Sequence, residues 1–396
     1  MDYYLAPLEG ITTYIYRNTY HSIFPPMEKY FTPFLVPRPK KGFSSRERKD
    51  ILPEHNEGLF VVPQILTNRA EDFIYAARML MEYGYGEINL NLGCPSGTVV
   101  PKGKGAGFLA HPAELEQFLD EVFSKLTVRI SIKARIGMES PQEFGPLSQM
   151  FQKFPLEELI IHPRIRADYY KNQPNLAVFG EAFRESRCPV CYNGDIFSPG
   201  DLERLRLEFP GLATVMLGRG IIANPALRWE CGRELPEKGQ NHGAGEEPEA
   251  TQEWFHSAGE GPKATQEWFH SAGEGPKAMQ EWFHGTRKGT EPVATQEGIL
   301  LLQGQGTGQP RIQAEKHKKF QQFHEALYQN YQEAFGRDRG VLFKMKEIWH
   351  YMIQSFTNYK PYAKLIKKAE SLQQYETAVR RLFQEQEVTS HGRFSF

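Results

Sequence analysis

The chain has 396 residues, 47 basic and 48 acidic, of which 40% are hydrophobic and 24% charged. That balance excludes a wholly disordered or fibrous polypeptide. No apolar run approaches the roughly 18 residues of a membrane span, and the start Met1-Asp2-Tyr3-Tyr4-Leu5 lacks a leader's basic and apolar stretches, so a cytoplasmic protein is expected.

Over the first 235 residues, short β-rich runs alternate with amphipathic stretches. Eight strands are predicted: Tyr3–Leu8, Lys29–Phe34, Leu59–Ile65, Glu87–Leu92, Val128–Ala134, Leu159–His162, Val190–Asn193 and Thr214–Leu217. Helical stretches such as Arg69–Tyr83, Pro112–Lys125 and Pro199–Phe209 lie between them. Eight strand–helix units in one segment predict an α/β fold, a (β/α)8 TIM barrel. A doubly wound sheet is disfavoured, because no glycine-rich turn follows the first strand.

Residues 236–310 carry a net charge of −6, against −1 for 1–235 and +6 for 311–396. The segment Ala250–Lys263 recurs unchanged at 264–277, and a third copy decays after His284. With little apolar surface per copy, 236–310 is expected to be an acidic, low-complexity, disordered insertion. From Arg311 the pattern is helical: Ala314–Phe335, Val341–Thr357 and Tyr362–Gln386, broken near Gly336, Gly340 and Pro361. Basic residues, among them Lys316, Lys318, Lys319, Lys344, Lys346, Lys360, Lys364, Lys367, Lys368, Arg380 and Arg381, run through this small all-α domain. They suit either phosphate contact or a solvated bundle surface.

The four cysteines form no disulfide framework. Cys188-Pro-Val-Cys191 has metal-pair spacing but no second pair, so buried strand cysteines and no metal are expected.

Chemistry in such barrels sits at the carboxyl ends of the strands. Here the tips read Ala6-Pro-Leu-Glu-Gly10, Gln64, Asn91-Leu-Gly-Cys94, Lys133-Ala-Arg135, His162-Pro-Arg164, Asn193-Gly-Asp195 and Gly218-Arg-Gly220. Gly194, Gly218 and Arg219, with Asn193, suit a phosphate, and Asp195 a hydroxyl or an orienting contact. Lys133 suits negative charge on a reduced flavin ring, and the Gln64 amide suits a uracil-like edge. Together they outline a flavin mononucleotide (FMN) pocket. Cys94, on a glycine-rich loop with Lys102 and Lys104 and without a neighbouring His, suits an acid.

These motifs resemble the tRNA-dihydrouridine synthase family. The matching stretches are Ala6–Thr12, Asn89–Pro95 with Gly103–Ala106, Ile132–Arg135, Ile161–Arg164 with Asp168–Tyr170, Asn193–Ile196, and Gly218–Gly220 with Asn224-Pro225. The resemblance implies a flavin-binding (β/α)8 barrel followed by a helical tRNA-binding domain. It implies reduction of the uridine C5–C6 bond with FMN and NADPH or NADH. By that resemblance Cys94 protonates C5, and Asn91 lies beside the uracil. Pro7, Leu8, Glu9, Gly10, Gln64, Lys133 and His162 hold the flavin ring and ribityl parts; Asn193, Gly194, Asp195, Gly218 and Arg219 hold the ribityl chain and phosphate. Arg135, Arg164 and Tyr170 face the RNA. A monomer is expected. The chain departs from the family pattern at Leu8, at Ser96-Gly97-Thr98, at Pro163 and Ile165, and in the insertion. The competing readings are a small-molecule FMN oxidoreductase of the dihydroorotate dehydrogenase or old-yellow-enzyme type, and an RNA-binding protein with a vestigial barrel.

Overall fold

The computed structural model describes residues 1–38, 42–233 and 309–389. The expected insertion at 236–310 lies outside them, apart from its last two residues.

Nine parallel strands form one sheet: β1 (Asp2–Leu5), β2 (Lys29–Phe31), β3 (Val61–Val62), β4 (Gln64–Ile65), β5 (Glu87–Leu92), β6 (Arg129–Arg135), β7 (Glu158–His162), β8 (Val190–Tyr192) and β9 (Thr214–Leu217). Their order is β3-β2-β1-β9-β8-β7-β6-β5-β4. The third predicted strand is therefore two, divided at Pro63, which has no N–H for the ladder. This division closes the sheet into a barrel. Phe60 O and Val62 O accept from β2 and its tip, while Pro63 O accepts from Asn89 of β5. One continuous segment thus joins both edges.

Parallel strands covered on both faces must be apolar on both. Inside the barrel, Tyr4, Phe31, Val62, Ile160, Cys191 and Met216 form a small buried cluster, and Leu8 packs against it. Outside, residues of opposite parity, such as Leu5, Ile88, Ile132 and Val215, meet the helices. Those helices are α1 (Tyr14–Ile23), α2 (Ser45–Ile51), α3 (Ala70–Glu82), α4 (Pro112–Lys125), α5 (Phe144–Phe151), α6 (Leu176–Glu185), α7 (Pro199–Glu208), α8 (Arg219–Ala223) and α9 (Leu227–Cys231).

The helical end comprises α10 (Gln309–Phe335), α11 (Asp338–Met352), α12 (Lys360–Lys368) and α13 (Leu372–Glu385). The last predicted helix is thus two. Ser371 ends the run by capping α13, its side chain accepting from Gln374 N.

These helices pack against the barrel. Phe323 of α10 sits 5.5 Å from the Tyr16 ring and 5.6 Å from that of Phe24. Asn330 donates to Thr19 Oγ1 at 2.8 Å, and Ser355 to Ala223 O at 2.8 Å. Several predicted basic residues serve this packing. Lys316 is buried and pairs with Glu230 at 2.8 Å and Lys344 donates to Gly10 O, while Lys346 donates to Ala369 O within the helical end. They are structural cations and not part of an exposed phosphate surface. No described helix is long and apolar enough to cross a membrane.

Candidate active site

The carboxyl ends of the strands bring the predicted polar residues to one mouth. The loop after β1 is folded on itself: Thr12 Oγ1 accepts from Leu8 N at 2.8 Å and donates to Ala6 O at 3.2 Å. This leaves Pro7, Leu8, Glu9 and Gly10 half-buried. Glu9 pairs with Arg46 at 3.1 Å; burial raises its carboxyl pKa, and Arg46 opposes the rise.

After β5 the chain turns on Asn91. Its Oδ1 accepts from Gly93 N at 3.0 Å and from Cys94 N at 2.9 Å, while its Nδ2 donates to Gln64 Oε1 at 2.7 Å. Asn91 therefore shapes the Cys94 turn. Gln64 is wholly buried and also donates to Asn89 Oδ1 at 2.8 Å, so its amide is committed inside the barrel. The turn needs a glycine beneath it. Gly105 has φ +57°, and a Cβ there would lie 2.8 Å from Cys94 O. Cys94 is half-exposed. Desolvation raises its thiol pKa against a backbone hydrogen bond at Ser96 and the charges of Arg135 and Lys133, so the group is a neutral thiol near pH 7.

Lys133 lies beside this turn, its Cα in register with Asn91. It makes no hydrogen bond or ion pair among the described residues. Desolvation, and then Arg135, depress its pKa to about 8. His162 is neutral: desolvation lowers its pKa well below the usual value, and Arg135, Lys133, Arg164 and Arg219 push the same way.

Arg135 and Arg164 are buried at this mouth, only 2% and 1% exposed. Arg135 donates to the carbonyls of Gly93, Ile165 and Tyr169 at 3.0, 2.9 and 2.8 Å. Arg164 forks onto the Asp195 carboxylate and also donates to Asn172 O. A buried guanidinium needs its donors satisfied, and here loop carbonyls and one carboxylate satisfy them. Tyr170 lies between cations, its ring centroid 4.4 Å from the Arg219 guanidinium and 5.3 Å from that of Arg135.

Arg219 also pairs with Asp195, at 2.7 Å on the Oδ1 that Arg164 Nη1 reaches. Asn193 is tied by its side chain to Met216 O at 2.8 Å. The loops after β8 and β9 touch backbone to backbone. A Cβ on Gly220 would sit 1.9 Å from Ile196 O, so no other residue fits. Gly218 approaches Ala6 and Leu8. The N–H groups of Gly194 and Asp195 find no partner among the described residues.

Lys133, Arg135, Arg164 and Arg219 thus crowd one mouth, with Asp195 the carboxylate set among them. That surplus, the unpartnered Lys133 and the free N–H groups fit a ligand that is anionic at a phosphate and at a ring edge. Residues to which the sequence reading gave no role include Thr12, Arg46, Asn89 and Ser131. Asn89 and Ser131 carried a usable signal, since they alternate with Asn91 and Lys133 and so share the inward face.

A family model described as Dihydrouridine synthase (Dus) matches residues 4–252, more than half of the chain. The tRNA-dihydrouridine synthase B of Pasteurella multocida (strain Pm70) is 25% identical over 227 residues, 57% of this chain and 67% of that protein. The tRNA-dihydrouridine synthase B of Shewanella oneidensis is 27% identical over 225 residues, 56% and 68% of the two chains. Among solved structures, an old yellow enzyme homologue from Zymomonas mobilis aligns with a TM-score of 0.40 and 14% identity, over 57% of this chain and 86% of that one. A barrel whose motifs and mouth carry this pattern, matched over most of its length, belongs to the dihydrouridine synthase family.

Proposed function

We propose that this protein reduces the C5–C6 double bond of uridines in tRNA, with FMN as its bound cofactor and NADPH or NADH as the reductant. The observation that carries the reading is a neutral Cys94 thiol held at a mouth crowded with cations. When bound, the flavin supplies hydride to C6 of the uracil. Addition of hydride to C6 would leave the electron pair of the double bond on C5, which needs a placed proton. The Cys94 thiol can give one; a thiolate cannot. Asn91 fixes the turn that presents it.

Lys133, the one site cation for which the described residues offer no partner, would hold the electron-rich edge of the flavin ring. Leu8 and Pro7 would face the ring with apolar surface. Gly194, Asp195 and Arg219 would hold the phosphate, through N–H groups and a guanidinium. Asp195 has a positioning task, orienting Arg164 and Arg219. Uracil stacked in RNA cannot reach such a mouth, so the nucleotide turns out of the tRNA, at a cost of a few kcal/mol. We read 1–235 as the catalytic barrel, 236–310 as an insertion and 311–396 as the tRNA-binding part, acting as a cytoplasmic monomer.

The test is to incubate the purified protein with NADPH and unmodified tRNA and to map dihydrouridine along the product. Dihydrouridine at one or a few positions is expected. Oxidation of NADPH with no change in tRNA would favour the small-molecule oxidoreductase.

A further inference from the structure

A hydrogen-bond chain with a single sense runs up the barrel interior to Cys94. Alternation along β5 turns Glu87, Asn89 and Asn91 inward, and β6 adds Ser131. From the top, Cys94 N donates to Asn91 Oδ1 at 2.9 Å and Asn91 Nδ2 to Gln64 Oε1 at 2.7 Å. Gln64 Nε2 donates to Asn89 Oδ1 at 2.8 Å, and Asn89 Nδ2 to Ser131 Oγ at 3.0 Å. Ser131 Oγ donates to Glu87 Oε1 at 2.8 Å, and Glu87 pairs with Lys29, also at 2.8 Å.

Each amide in this chain has its donor end toward the floor and its acceptor end toward the mouth. Turning any one of them over would set NH2 against NH2 or oxygen against oxygen. Both ends agree on that sense: Gly93 N and Cys94 N can only donate to Asn91 at the mouth, and Glu87, paired with Lys29, accepts from Ser131 on the floor. Asn91, Gln64, Asn89, Ser131 and Glu87 are all buried, so a break among them cannot be mended by bulk water. Aligned bonds also polarise one another, which strengthens the last link, at Cys94 N.

We propose that Glu87, on the barrel floor, is a positioning residue for Cys94, acting through Ser131, Asn89, Gln64 and Asn91. The proposal rests on the reading of Cys94 as proton donor. The column holds the turn so that the thiol stays desolvated and protonated. Broken, it frees the Asn91 amide, and the turn opens to water.

The experiment uses the full-length protein as purified, with Ser131→Ala and Glu87→Gln. Ile132→Val, on the helix-facing side of β6, controls for loss of stability alone. Iodoacetamide labelling of Cys94 is followed against pH by peptide mass spectrometry, beside thermal melting and dihydrouridine formation. In Ser131→Ala, labelling at pH 8 should rise about tenfold, its midpoint should move down toward the ordinary thiol value, and turnover should fall by a similar factor, as expected for a displaced catalytic group. Glu87→Gln should move all three the same way, because its amide cannot pair with Lys29 and can turn an NH2 group toward Ser131. A Cys94 labelling profile unchanged in both variants, with melting lowered as in Ile132→Val, would overturn the proposal. A changed profile with unchanged turnover upholds the positioning and removes Cys94 from the chemistry instead.

Discussion

At the scale of single residues, the protonation states of Cys94 and Lys133 set the site. Burial keeps the Cys94 proton in place near neutral pH. Replacing Cys94 with Ala should lower dihydrouridine formation by about 10² to 10⁴, the usual worth of a placed acid, while the flavin absorbance of the purified protein stays at the parent level. Loss of the flavin would show a different role. Lys133 works in the opposite sense. An ordinary lysine titrates at 10.5, and this one near 8, so its charge is present below pH 8 and lost above. FMN affinity of the flavin-free protein should therefore weaken as pH rises through 8. In Lys133→Met it should be weaker than the parent's below pH 8 and flat over that range, as fluorescence titration would read. Stability carries the other side of the linkage. Between 8 and 10.5 the unfolded chain keeps a proton that the native barrel has shed, so this group's contribution to stability rises with pH. Melting of the flavin-free parent and of Lys133→Met across that window checks the sign.

At the scale of elements, the loops after β8 and β9, to which we assign the phosphate, depend on close backbone approach. Gly220→Ala would drive a methyl into Ile196 O and part the loops after β8 and β9. FMN affinity should fall at least about tenfold, a modest misplacement by the standard of catalytic sites, and a parent-like affinity would show that the phosphate binds elsewhere. The strands that carry these loops were legible because β-branched runs recur with the right spacing, and only Pro63 divides one of them. The polar tips were legible too, since seven mark one end of the barrel. What the tips do was less so. A strand-end arginine has the same letter whether it reaches solvent or turns back, and only the fold shows Arg135 and Arg164 spent on loop carbonyls and Asp195. The break between α12 and α13 was missed for a local reason. Ser371 reads as one polar residue in a helical pattern until its side chain is seen capping Gln374 N.

At the scale of the whole molecule, the basic helical end divides into cations used for packing and cations left exposed. Lys316, Lys344 and Lys346 are tied to the protein. On α12, Lys360, Lys364 and Lys368 are exposed and spaced four apart, so they form one stripe along a helix. Nothing among the described residues pairs with them. The described barrel and helices make one compact unit, so the stripe is held in fixed relation to the mouth. If it tracks a tRNA backbone, each lysine displaces roughly one counterion, and the logarithm of affinity falls with the logarithm of salt by about 0.9 per contact. The triple variant Lys360→Gln, Lys364→Gln, Lys368→Gln should then flatten that slope by about 2 to 3 and weaken binding at low salt. Turnover at saturating tRNA should stay near the parent value, because none of the three is among the residues that build the mouth, so the loss appears in KM. Filter binding from low to moderate salt, paired with dihydrouridine kinetics, separates the two effects. A slope equal to the parent's would take tRNA off α12 and leave the stripe as a solvated helix face.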